Sequence, residues 1–209
     1  MKTYKVAILG ATGAVGQEML KILMERDFPV SELHLLASAR SAGKKITVAG
    51  KEYTVEETTE DSFDGMDIVL GAAENDIAEK YLPIAAAKGA IVVDNSSAFR
   101  LHEDVPLIVP EVNPQAVREH HGIIANPNCA TIIALVALQP LHAYANAKRM
   151  VVSTYQAVSG AGVNGIRELN QQVGALAHGK EVEVNTFQYQ IAYNLIPQIG
   201  GFNAAGYSS

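Results

Sequence analysis

The chain has one thiol among its 209 residues, Cys129, set in Asn126-Pro127-Asn128-Cys129-Ala130-Thr131. It follows a candidate buried strand and precedes an apolar helical pattern. Asn128 is a natural N-cap, which puts Cys129 in the first helical turn. There the helix dipole lowers a thiol pKa and favours the nucleophilic thiolate. The same helix start offers amide donors to a tetrahedral oxyanion. The competing reading is an inert, buried, small apolar residue. A second pattern, Gly10-Ala11-Thr12-Gly13-Ala14-Val15-Gly16, follows a candidate strand and opens a candidate helix. Glycines let such a turn approach a pyrophosphate closely, and the free amides of the helix start attract the anion. Without a ligand, it is an ordinary strand-to-helix turn of small residues.

The second strand of a dinucleotide fold usually ends on an acid that binds the ribose hydroxyls. Here that place reads Ser38-Ala39-Arg40-Ser41-Ala42-Gly43, with no acid. An arginine flanked by serines suits a 2′-phosphate, which a guanidinium grips on two sides. NADP(H) is therefore the expected cofactor, with a solvated loop charge as the alternative for Arg40. A glycine-rich NADP turn together with a helix-start thiol points to hydride transfer to or from a thioester. Arg100, in Asn95-Ser96-Ser97-Ala98-Phe99-Arg100, could hold an anionic substrate group or form a surface ion pair. Gln156 and the loop Ser159-Gly160-Ala161-Gly162 could meet a nicotinamide, or be a plain glycine turn. The pair His120-His121 lacks the surrounding ligands of a metal site and reads as an exposed loop pair, so no metal is expected.

Positioning these groups requires a scaffold, and the hydrophobic pattern supplies one. Strands are expected at Tyr4–Leu9, Leu33–Ala37, Asp67–Gly71, Ala90–Asp94, Leu107–Pro110 and Gly122–Asn126, with a polar hairpin over Lys44–Val55. Helices are expected at Gln17–Arg26 and Asn75–Lys88. Near-continuous Val/Ile/Leu strands alternating with helices argue for a doubly wound, Rossmann-type α/β fold with a mostly parallel sheet covered on both faces. Beyond Asn126 the pattern changes. An apolar helix over Ala130–Gln139 ends near Pro140, a β-rich run spans Lys148–Val158, and an amphipathic helix spans Ile166–His178. Two domains are expected, 1–128 for the cofactor and 129–209 as the start of an α+β catalytic and dimerisation domain that looks incomplete.

Composition narrows the function classes. The net charge is −6, with 48% apolar and 18% charged residues. An acidic chain without a basic cluster is a poor partner for nucleic acid or anionic membranes. The longest apolar run, Ala130–Leu138, is about half the length of a membrane span. A single cysteine excludes an intrachain disulfide and suits a reducing, cytoplasmic setting.

Six segments taken together resemble the aspartate-β-semialdehyde dehydrogenases: GATGAVG (10–16), SARSAG (38–43), VVDNSSAFR (92–100), VPEVNP (109–114), NPNCAT (126–131) and STYQAVSGAG (153–162). The likeness runs from Lys5 to the end, through NLIPQI (194–199). It implies that L-aspartyl 4-phosphate and NADPH give L-aspartate 4-semialdehyde, NADP and phosphate, in the biosynthesis of lysine, diaminopimelate, threonine and methionine. By the resemblance, Cys129 forms the thioester, Arg100 binds the departing phosphate, Asn128 places the thiol and substrate, and Gln156 orients the substrate. Thr12, Gly13, Ala14 and Val15 would cradle the cofactor phosphates, with Gly10 and Gly16 shaping the turn. Ser38, Arg40 and Ser41 would take the 2′-phosphate, and Ser159-Gly160 the nicotinamide side. A homodimer is implied for the complete chain.

Two departures stand out. Ala72-Ala73-Glu74-Asn75-Asp76 replaces a glycine- and serine-rich loop near the cofactor. Family chains also run well beyond the equivalent of Ser209, supplying a Glu, a Lys, an Arg and the general-base His. This chain is therefore expected to be an N-terminal piece that turns over poorly alone. A non-catalytic NADP-binding module of the same fold is the competing class. A related reductase for another acyl phosphate or acyl-CoA is a third.

Overall fold

The computed structural model describes residues 2–198 and 200–207. Ile199, the last residue of the NLIPQI segment, and the terminal Ser208 and Ser209 lie outside the described residues. The backbone divides into two compact units, Met1–Thr154 and Tyr155–Ser209.

The first unit is built on seven strands: β1 (Tyr4–Leu9), β2 (Val30–Ala37), β3 (Lys45–Val48), β4 (Lys51–Glu57), β5 (Ile68–Gly71), β6 (Ile91–Asp94) and β7 (Ile123–Ala125). Their spatial order is β3-β4-β2-β1-β5-β6-β7, all parallel except the β3–β4 hairpin. The chain thus leaves β1 toward one side, then returns to its other side at β5, the reversal that opens a crevice at the strands' carboxyl ends.

Helices α1 (Ala14–Glu25) and α2 (Asn75–Ala87) follow the glycine turn and β5. Alternation along β1 sorts its side chains into two cores. Ile8 packs with Leu20 of α1, Leu35 and Val55. Ala7 and Leu9 pack on the other face with Leu82 and Ala85 of α2, Phe63, Val69 and Val92. Burial on both faces is what the unbroken apolar strands required.

Three expectations fail. Leu107–Pro110 is no strand; it meets the sheet through one bridge, Leu107 to Ala125, supported by Ile108 N–H to Ala125 O (3.0 Å) and Ala125 N–H to Pro106 O (3.0 Å). The prolines at 106 and 110 bracket the segment, and neither has an N–H with which to extend the ladder beyond it. Helix α3 (Cys129–Ala145) does not stop near Pro140 but runs past it to Asn146, whose left-handed φ of 52° ends it. One missing N–H costs one ladder bond, and the alanine- and leucine-rich flanks propagate the helix regardless. Residues 148–157 form no strand, because among the described residues no neighbouring strand accepts their ladder.

Helix α3 has no buried residue although it is mostly apolar; Ile133 is 73% and Tyr144 93% exposed. No helix among the described residues is long and apolar enough to cross a membrane.

The second unit is organised by α4 (Gly162–Ala177), preceded by a 3-10 turn at Val158–Ala161. Two buried polar side chains on one face of α4, Glu168 and Gln172, hold the irregular segment 183–192. Glu168 Oε2 accepts the amides of Asn185 (3.2 Å) and Thr186. Gln172 Oε1 accepts the amides of Ile191 (2.9 Å) and Ala192 (3.1 Å), and its Nε2 donates to Glu183 O (2.8 Å). Burial alone would push the Glu168 carboxyl up, but the amides of Thr186, Asn185 and Phe187 outweigh it and hold its pKa below the ordinary value of 4.5. A lowered folded-state pKa stabilises the folded form above the ordinary value, and that stabilisation disappears as pH falls through the lower one. Amide exchange at Thr186 and Asn185, corrected for intrinsic rates, is therefore expected to accelerate on acidification below about pH 4.5 in the native chain and to be fast at all pH values in Glu168→Ala.

Candidate functional site

The glycine turn leaves β1 at the crevice. Gly10 has φ +87°, and a side chain there would lie 2.6 Å from Ala72 O, so only glycine fits both the backbone and the space. The turn is tied to β2 by Gly10 N–H and Ala11 N–H, both donating to Leu36 O (2.9 and 3.0 Å). Gln17 Nε2 donates to Thr12 O (3.1 Å). Gly13 is the N-cap of α1, and no side chain caps its first amides, nor does its first turn carry an acid. The start of α1 at Ala14, Val15 and buried Gly16 thus presents free N–H groups and a positive dipole end, complementary to phosphate.

Ser38, Arg40 and Ser41 follow β2 on the same edge of the sheet. Ser38 and Arg40 are exposed and Ser41 is buried, in a 3-10 turn where Ser41 N–H donates to Ser38 O (2.8 Å). Arg40 forms no ion pair among the described residues, and its guanidinium faces solvent beside the turn. No carboxylate follows β2 within this turn. These residues fit a dinucleotide with a 2′-phosphate: a glycine cradle, uncapped amides and a free guanidinium.

The Ala72–Asp76 segment packs its backbone against Gly10 and continues β5 through Ala72 N–H to Leu9 O (2.8 Å). Glu74 is the N-cap of α2 without a capping side-chain bond. Asn75 crosses to the β6 edge, where its Oδ1 accepts Ser97 N–H (3.1 Å) and its Nδ2 donates to Ser97 Oγ (2.9 Å). The departure from a glycine- and serine-rich loop therefore has a structural consequence, a side-chain tie between the ends of β5 and β6.

At the end of β7, Asn128 caps α3, its Oδ1 accepting Ala130 N–H (3.0 Å). Cys129 is the first residue of α3 and is exposed, which removes the inert-core alternative. No side chain among the described residues bonds its thiol. Arg100 is half-buried and makes no ion pair among the described residues. Its Nε donates to Asn126 O (2.8 Å) and its Nη2 to Asn95 O (3.0 Å). A guanidinium has five donors, so three remain for an anion. The first unit thus brings Arg100 and Cys129 to the two ends of one short segment, 126–129. His120 accepts Gly122 N–H at Nδ1 (3.0 Å), and among the described residues no group of three or more His, Cys, Asp or Glu is arranged to hold a metal ion.

Gln156, Ser159 and Gly160 belong to the second unit. All three are exposed, and the Gln156 side chain lies directly against the Gly160 backbone, where a Cβ would collide with its Nε2. The pairing expected from their spacing is thus present within that unit. Sequence reasoning missed Asp94, which is fully buried at the end of β6 with its carboxylate on Ser96. The Asp-Asn-Ser run after a strand, a common turn signal, pointed to it.

Comparison with known proteins gives matches to two family models, the semialdehyde dehydrogenase NAD-binding domain over residues 5–120 and the semialdehyde dehydrogenase dimerisation domain over 138–209. The chain is 52% identical to aspartate-semialdehyde dehydrogenase of Aquifex aeolicus across 98% of its own length and 62% of that protein. It superposes with a TM-score of 0.95 and 49% identity on aspartate semialdehyde dehydrogenase II of Vibrio cholerae, solved in complex with ASA, covering all of this chain and 62% of that one. The Candida albicans enzyme, solved with NADP, matches over 68% of this chain and 47% of its own, at 32% identity and a TM-score of 0.56. The chain therefore spans about three fifths of the length of such relatives.

Removing the cap should loosen the start of α3. Asn128→Ala is expected to destabilise the chain by about 1 kcal/mol and to slow alkylation of Cys129 near neutral pH, measured by intact mass against time.

Proposed function

The chain belongs to the semialdehyde dehydrogenase family, and from that premise we propose that it reduces L-aspartyl 4-phosphate to L-aspartate 4-semialdehyde with NADPH, through a thioester on Cys129. The observation that carries this reading is the exposed thiol at a capped helix start, one short segment away from an arginine with unused donors.

In this reading the Cys129 thiolate attacks the acyl carbon, the carbon–oxygen bond to phosphate breaks, and phosphate leaves with the electron pair. Arg100 holds the phosphate as charge builds on it, by paired N–H donors suited to its geometry. The α3 amides receive the acyl oxygen as it becomes anionic. Bound NADPH supplies the hydride that reduces the thioester to a thiohemiacetal. Collapse of the thiohemiacetal expels the Cys129 thiolate and releases the aldehyde. Asn128 keeps the thiol at the helix end, and Gln156 orients the substrate. The turn 10–16 holds the cofactor phosphates, with Thr12, Gly13, Ala14 and Val15 in direct reach. Arg40, with Ser38 and Ser41, selects NADP over NAD, and Ser159-Gly160 would contribute to binding the nicotinamide.

The division of labour follows the chain: 1–128 bind the cofactor, and 129–209 begin the catalytic and dimerising part. The dimerisation-domain match over 138–209, together with the bare apolar side of α3, supports a homodimer of the complete protein. The cytoplasm suits an exposed nucleophilic thiol, since reducing conditions keep it free. No side chain among the described residues hydrogen-bonds the Cys129 thiol. General acid–base help contributes about 10²–10⁴-fold, so the 209-residue polypeptide alone is proposed to turn over slowly.

The test is NADP reduction by the complete gene product with semialdehyde and phosphate. Activity that falls to background in Cys129→Ser is expected, and equal activity in that variant would sink the thioester. Arg40→Ala is expected to raise KM for NADP about ten- to hundredfold while leaving KM for NAD unchanged. Cofactor binding without any turnover would favour a non-catalytic module instead.

A further inference from the structure

Arg100 is aimed by two carbonyl oxygens rather than by a carboxylate, so its direction depends on whatever fixes those carbonyls. One belongs to Asn126, the other to Asn95. Both trace back to Asp94. The Asp94 backbone C=O accepts Asn126 N–H (2.8 Å), which sets the start of the segment leading to Cys129. Its carboxylate turns forward, Oδ1 accepting Ser96 N–H (3.0 Å) and Oδ2 accepting Ser96 Oγ–H (2.6 Å). Ser96 Oγ in turn accepts Ala98 N–H (3.1 Å). Asn95, between them, donates its N–H to Gly71 O (3.0 Å) and points its own carbonyl at Arg100.

A separate observation shows that room is kept for this carboxylate. A Cβ on Gly71, the neighbour of Asp94 across the sheet, would stand 2.8 Å from Asp94 Oδ1. Asp94 is fully buried, Ser96 is buried, and neither has another side-chain partner that would explain it. A buried carboxylate must be hydrogen-bonded, and here Ser96 meets that need within the same turn.

We propose that Asp94, acting through Ser96, is a positioning residue that orients Arg100 toward the departing phosphate. The inference rests on the reading of Arg100 as the phosphate ligand. The Asp94 carboxylate does not touch substrate. It shapes the turn, the turn presents the Asn95 carbonyl, and that carbonyl with Asn126 O fixes the guanidinium while leaving three of its donors unused.

The experiment uses the complete gene product and inorganic phosphate as the probe, with two readouts. One is the phosphate concentration that half-protects Cys129 from alkylation; the other is KM for phosphate against kcat in semialdehyde oxidation. Asp94→Asn, which puts a donor where an acceptor stood, and Ser96→Ala are each expected to raise both phosphate values about tenfold. kcat at saturating phosphate is expected to fall by less than KM rises. In an Arg100→Lys background the same two substitutions are expected to add nothing. If they weaken phosphate equally with and without Arg100, or lower only the melting temperature, Asp94 is a structural residue and the proposal is wrong. Should Asp94→Asn not fold, Ser96→Ala decides alone. If Arg100→Lys itself leaves both phosphate values unchanged, the phosphate reading of Arg100 fails, and the proposal falls with it.

Discussion

One row of register-matched residues underlies the site. Leu36, Leu9, Gly71, Asp94 and Ala125 lie side by side across five strands, each paired with the next. Parallel pairing places the carboxyl ends of these strands at one level. The next residue of each strand therefore leaves the sheet along the same edge: Gly10 from β1, Ala72 from β5, Asn95 from β6 and Asn126 from β7. The cofactor turn, the tie through Asn75, the Arg100 clamp and the thiol all begin within a few residues of that row. A slip of one residue in any pairing would turn the apolar faces over and misplace the functional residue by one strand position.

The edge then divides its work by chemistry. On the β1–β2 side the groups are uncapped amides, small residues and a solvent-facing guanidinium, an arrangement that receives a charged, extended ligand with little reorganisation. On the β6–β7 side the groups are locked to one another. Arg100 bonds two carbonyls, Asn128 bonds its helix, and the Asp94 carboxylate closes its turn. The proposed reaction uses both, a site that admits a cofactor and a site that holds a thiol and a leaving group to ångström tolerance.

Much of this was legible in the sequence. The strand–turn–helix at 4–25 and the strand-to-capped-helix at 123–130 are local patterns, and each carries its own signal: glycines at a tight turn, an Asn before an apolar helix. The absence of an acid after Leu36 was equally direct. What could not be read is non-local. Nothing in Val92-Val93-Asp94-Asn95 says that Asp94 will sit opposite a glycine twenty-three positions earlier, since that depends on register. The run at 148–157 has strand composition, but a strand exists only with a partner beside it, and composition does not name one. Pro140 misled for a different reason. A single missing donor is a local penalty, while the helix around it is maintained by all its other ladder bonds.

The two rims of the sheet are finished differently. At β7 the chain folds back so that Leu107 and Ile108 meet Ala125, and the outermost ladder groups find partners in their own chain. At the opposite rim β3 is only four residues long, with Lys45 tethered to Glu52 across the hairpin. Short, charged or self-covered rims resist the addition of a foreign strand. Backbone-to-backbone fusion of neighbouring molecules, the route to fibrous aggregates, is thereby discouraged at both ends of the sheet. Any contact with another molecule along these rims is left to side chains, which can discriminate where a bare ladder cannot.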